Sequence, residues 1–167
     1  KVITPALTFS TTVAPIVQSE LVPLFIDVEI DTLQINTKAL KMVNLENVSA
    51  ICVPNLIGNI ANWEELYAFA KENKLKLIED SADTIGYNYQ TELLDWSDIT
   101  TTSFYASHVV TGAGFGGMVT FKEKKYFEAA QSLRGWGRRS SKYAESEDYH
   151  RRFNCKIDGF DYDDKYV

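Results

Sequence analysis

Cysteine is nearly absent. Cys52 and Cys155 are the only two in 167 residues, and they form neither a CxxC pair nor a disulfide ladder. That excludes a disulfide-stapled scaffold and a site needing four thiolates. Cys52 sits in an apolar run and reads as a small core residue, so a reducing, cytoplasmic setting is expected. Basic residues are outnumbered, with Lys+Arg 17 against Asp+Glu 23 and a net charge of −6. Without a basic stripe to neutralise phosphates, neither nucleic acid nor an anionic membrane is an expected partner. The local exception, Arg134, Arg138, Arg139, Arg151 and Arg152, is offset by Glu145, Glu147 and Asp148. No apolar run is long enough to span a bilayer, and no signal peptide, lipidation motif, repeat or low-complexity tract is found.

What is present is a chain 45% hydrophobic and 24% charged, enough for one real core. It opens at Lys1-Val2-Ile3 without Met, already inside a strand pattern, and stops as abruptly at Lys165-Tyr166-Val167. We expect an internal piece of a longer protein. Short apolar runs at Val2-Ile3, Pro23–Asp27, Ala50–Val53 and Leu75–Ile78 predict strands, the last stopping at Glu79-Asp80. Ala50–Val53 shows no polar alternation, as in a parallel strand covered on both faces. Between them, helices are predicted over 8–19 (weakened by Pro15), over Lys38–Val43 behind Asn36-Thr37, and over Trp63–Asn73 behind the N-cap Asn62. Alternating strands and helices at short spacing imply right-handed crossovers and an α/β, three-layer α/β/α, mostly parallel sheet. A last helix is expected over Lys122–Leu133. We divide the chain into 1–133, one large domain, and 134–167, an irregular polar and aromatic segment leading out of it.

The chemistry concentrates where such sheets bind ligands, at the carboxyl ends of strands. The β-branched run Ile99–Thr102 leads into Ser103-Phe104-Tyr105-Ala106-Ser107-His108, then a glycine-rich turn, Gly112 to Gly117, and a further strand, Met118–Phe121. Glycines there allow positive φ and close approach of another group. A hydroxyl and a histidine beside that turn suit a phosphate and a proton-transfer base; a hairpin with a packed histidine is the alternative. Read alone, Asp80 is equally a helix cap or a solvent-facing acid, and Phe9 is more often core than ligand platform.

Glu79-Asp80-Ser81-Ala82-Asp83-Thr84-Ile85-Gly86, followed by Ser103-Phe104-Tyr105, resembles the DegT/DnrJ/EryC1/StrS family of pyridoxal-phosphate-dependent sugar aminotransferases. The resemblance runs in order from Ile3-Thr4-Pro5-Ala6-Leu7-Thr8-Phe9 through Phe25–Val28 and Asp31-Thr32-Leu33 to Gly116–Val119. It implies the large domain of the fold type I aspartate aminotransferase architecture, here in part. By the same resemblance Asp80 binds the pyridine nitrogen, keeping the ring protonated and a better electron sink. Ser103 holds the cofactor phosphate, Phe9 stacks on the ring and Asp83 joins the cofactor contacts. A nucleotide-sugar substrate, glutamate as possible amino donor, and a homodimer are further implications.

One position departs from the aminotransferases. Their internal Schiff-base lysine falls at His108, and no lysine stands between Lys76 and Lys122. Imidazole cannot form that bond but is a base near neutral pH. The exchange resembles the 3-dehydratases of nucleotide-linked 4-keto-6-deoxyhexoses. There pyridoxamine 5'-phosphate condenses with the C4 ketone, and histidine removes a proton so that the C3 hydroxyl leaves. Asp83 agrees, since family aminotransferases usually carry Gln there. Gly135-Trp136-Gly137-Arg138 is followed by Arg139-Ser140-Ser141, where the iron–sulfur dehydratases have clustered cysteines, so no metal cluster is expected. The expected function is C3 dehydration in deoxysugar or lipopolysaccharide biosynthesis with His108 as base. The alternatives are a sugar-nucleotide aminotransferase and a catalytically inactive binding relative.

Overall fold

A computed structural model describes residues 1–85 and 96–135. These fall in two units, one ending at Lys122 and the other beginning at Glu123, each described by itself. Among the described residues the first unit runs β1 (Val2–Pro5), α1 (Ser10–Gln18), β2 (Pro23–Ile26), α2 (Thr37–Leu40) and β3 (Ala50–Pro54). A 3-10 turn follows at Leu56–Gly58, then α3 (Trp63–Glu72), β4 (Lys76–Asp80), β5 (Ile99–Ser103) and β6 (Gly117–Phe121). The strands form a six-stranded sheet in the order β2-β1-β3-β4-β5-β6. Every pairing is parallel except β5 with β6.

Side-chain alternation along β3 and β4 divides the core between the two faces of the sheet. Ile51, Val53 and Leu77 pack with Ile3, with Leu40 of α2 and with Trp63, Leu66 and Ala70 of α3. The intervening Ala50 and Cys52 pack with Val2, Ile78 and Ile16 of α1. Helices therefore cover both faces, which is why β3 is buried throughout and lacks polar alternation.

The helix starts follow their caps. Asn62 Oδ1 accepts the Glu65 amide at 3.2 Å as an N-cap, and its Nδ2 donates to Glu65 Oε1 at 3.0 Å, holding the two side chains together. Asn36 accepts the amides of Lys38 and Ala39 at 3.0 and 2.9 Å. Two helices differ from expectation. α2 ends at Leu40, because Met42 and Val43 donate three residues back rather than four. α1 starts at Ser10 and keeps Pro15 inside it, its buried face of Thr12 and Ile16 overriding the local preference.

β4 runs through Glu79 and Asp80 instead of stopping at them. β6 is an antiparallel edge strand with residues Gly117–Thr120 exposed, not part of a buried hairpin. Between Ser103 and Gly117 there is no crossover helix, so the chain returns antiparallel. In the second unit α4 spans Lys124–Arg134, later than expected because the Lys122 amide still bonds Asp98 in the first unit's sheet. Arg134 is thus helical, not the start of a loop. The expectations placed on Gly86, Cys155, the remaining arginines and the segment after Gly135 lie outside the described residues.

Candidate active site

Successive strand residues point to opposite faces, and this separates two neighbouring carboxylates in β4. Glu79 is buried on the α3 side. There it accepts Asn55 Nδ2 at 2.8 Å and the Ser81 hydroxyl. Asn55 Oδ1 in turn accepts Trp63 Nε1 at 2.9 Å and the Ala61 amide at 3.1 Å. Every polar atom of that network is spoken for, as buried polar groups require, and its role is to fix the strand end.

Asp80 points the other way, toward α1. Its Oδ2 accepts the Thr12 hydroxyl at 2.8 Å and its Oδ1 the Ala82 amide at 3.2 Å. The Cys52 thiol on this face is pushed up to about 12, first by burial and then by the Asp80 carboxylate. Asp80 is therefore neither a helix cap nor a fully solvated acid.

Ser103 closes β5. Asp80 pairs with Thr101 across the ladder, so Thr101 and Ser103 lie on the face that carries Asp80, with Ser103 roughly 7 Å farther toward the carboxyl edge. Its Oγ accepts the Tyr105 amide at 3.2 Å. Phe9 caps the start of α1, one turn before Thr12. At 66% exposed it is no core residue. Asp80 and Ser103 thus share one sheet face at the carboxyl ends of β4 and β5, and Phe9 precedes the helix whose Thr12 bonds Asp80.

Asp83 and His108 come together just beyond those ends. His108 Nε2 lies 3.9 Å from Asp83 Oδ1, while Asp83 Oδ2 accepts the Ile57 amide at 3.1 Å. The Tyr105 ring meets the imidazole edge-on at 6.0 Å. His108 Nδ1 is buried and makes no hydrogen bond among the described residues. The turn after it needs its glycines: a Cβ at Gly112 would collide with the Phe115 carbonyl, and Gly116 sits at φ 129°.

Two contributors escaped the sequence. Thr12 carries no signal on its own, being one hydroxyl in a helix of small residues. Ile57 acts through its backbone in the left-handed region, at φ 53°; only the adjacent Gly58 hints at a tight turn there.

The family model described as the DegT/DnrJ/EryC1/StrS aminotransferase family matches residues 1–161. The chain is 39% identical over 139 residues to a dTDP-4-dehydro-2,6-dideoxy-D-glucose 3-dehydratase of Saccharopolyspora spinosa, covering 83% of this chain and 30% of the relative. It is 37% identical over 139 residues to the lipopolysaccharide biosynthesis protein RfbH of Salmonella typhimurium, covering 83% and 32%. Perosamine synthases also match, at 26 to 29% identity. Among solved structures, the E. coli GDP-4-keto-6-deoxy-D-mannose-3-dehydratase with bound hydrated PLP superposes with a TM-score of 0.73 at 26% identity. That match covers 82% of this chain and 35% of the other. The chain spans about a third of the length of these relatives.

Proposed function

The chain belongs to the DegT/DnrJ/EryC1/StrS aminotransferase family, and on that premise we propose that the full-length protein is a pyridoxamine-phosphate-dependent 3-dehydratase. Its substrate is a nucleotide-linked 4-keto-6-deoxyhexose, in deoxysugar or lipopolysaccharide biosynthesis. The observation that carries this reading is His108. By the family resemblance it takes the position of the aminotransferases' lysine, and its buried Nδ1 has no hydrogen-bond partner among the described residues. Buried polar groups are usually hydrogen-bonded, so an imidazole nitrogen with no partner among the described residues calls for a functional reason.

The residues present fit pyridoxamine or pyridoxal 5'-phosphate. Phe9 would cover one face of the ring and Ser103 would donate its hydroxyl to the phosphate. Asp80, held by Thr12 and the Ala82 amide, would keep a proton on the pyridine nitrogen. When bound, the cofactor supplies an amine for a ketone and a ring that accepts electrons. His108 would take the proton whose removal starts loss of the C3 hydroxyl, because imidazole is a competent base near neutral pH. The lack of lysine between Lys76 and Lys122 leaves non-covalent contacts to hold the cofactor. Glutamate as donor for regenerating the amine, and a second subunit completing the site, extend the same proposal.

Borohydride treatment of the full-length protein followed by intact-mass measurement tests it. A dehydratase of this kind releases all of its cofactor on denaturation and, given pyridoxamine phosphate, consumes a 4-keto-6-deoxyhexose nucleotide. The second reading, a sugar aminotransferase, is favoured by the perosamine synthases among the matches. It predicts a borohydride-stable adduct on a lysine, and such an adduct would overturn the dehydratase assignment.

A further inference from the structure

The family resemblance puts Asp83 among the cofactor contacts, yet one of its oxygens is bonded inside the protein and the other faces His108. Oδ2 takes the Ile57 amide at 3.1 Å and Oδ1 faces His108 Nε2 at 3.9 Å. The Ile57 amide is presented by strained backbone. A β-branched residue at φ 53° persists only where its surroundings enforce it. The Asp83 carboxylate is therefore anchored on one side and aimed at the imidazole on the other.

We propose that Asp83 is a positioning residue that fixes the tautomer of His108, holding the proton on Nε2 and leaving the lone pair on Nδ1. This rests on the reading of His108 as base and assigns the atom that acts. A carboxylate can only accept, so the imidazole nitrogen facing it is the one that carries hydrogen. At 3.9 Å the pair is not yet a hydrogen bond, and catalytic contacts of this sort shorten once ligand is bound. Nδ1 has no hydrogen-bond partner among the described residues and is the nitrogen left to accept the proton. The imidazolium then bears one proton on each nitrogen, its positive charge beside the Asp83 carboxylate. Among the described residues Tyr105 is the other titratable group against the ring, 6.0 Å between centroids. The division of labour parallels that of the aspartate and histidine in serine-protease triads, where the acid orients and the imidazole reacts.

The test is histidine-selective 15N labelling of the full-length protein, with two-bond 1H–15N spectra recorded at a pH where His108 is neutral. The signals are assigned by their loss in His108→Asn. The wild type is expected to show Nε2–H. In Asp83→Asn the amide oxygen keeps the Ile57 amide and the NH2 group faces Nε2, so the tautomer should invert and dehydration should fall about 10²–10⁴-fold. In Asp83→Ala the preference should disappear. A wild-type Nδ1–H tautomer, or an unchanged pattern in both variants, overturns the proposal. The dehydratase reading fails separately, if His108→Asn retains turnover, because the spectra report the tautomer whether or not substrate is converted.

Discussion

The Thr12 hydroxyl lies 2.8 Å from Asp80 Oδ2, tying the first turns of α1 to the end of a strand 68 residues later. This bond gives the carboxylate a fixed direction on the face that also carries Ser103.

Thr12→Val keeps the shape and removes the donor. A hydrogen bond to a charged group contributes about 1.5–3 kcal/mol, and Asp80 retains the Ala82 amide. The variant should therefore lose about 1–2 kcal/mol in urea unfolding, by the same scale, and bind pyridoxamine phosphate more weakly. Thr12→Ser should recover most of both. Equal binding by Val and Ser variants would separate Thr12 from the site.

Cys52 should be inert in the folded protein. Burial and the Asp80 carboxylate push its thiol up to about 12, whereas the unfolded chain ionises at an ordinary value. Between pH 9 and 12 the native state holds the extra proton, so stability declines as pH rises through that window. Cys52→Ala should flatten that decline, measured as unfolding free energy against pH. Iodoacetamide at pH 8 should label Cys52 only on unfolding.

Ile57 offers a stabilising change. Its side chain is 65% exposed, so little burial is lost on replacement, while its φ of 53° suits Asn better than a β-branched residue. Ile57→Asn should gain about 1 kcal/mol, read as a higher melting temperature. It should also leave the amide to Asp83 in place, so the His108 tautomer should not change. A lower melting temperature would show that the Ile57 side chain packs in the full-length protein.

The sequence by itself determined the alternation of strands and helices, the caps at Asn36 and Asn62, and the carboxyl-edge placement of Asp80 and Ser103. Each depends on local propensity or on a period that survives in one dimension. The absence of lysine between Lys76 and Lys122 was equally plain, and it turned the functional reading from aminotransferase toward dehydratase. Only the tertiary structure decided which partner each group meets. Pleating sent Glu79 into a closed network under α3 and Asp80 toward Thr12 on the opposite face, a difference that adjacent acids in a sequence cannot express. It also decided that β6 runs antiparallel along an edge and that Asp83 spans Ile57 and His108. Those contacts join residues far apart along the chain, 24 positions for Asn55 and Glu79 and 68 for Thr12 and Asp80, and their geometry comes from the folding of the sheet and its loops rather than from any local preference.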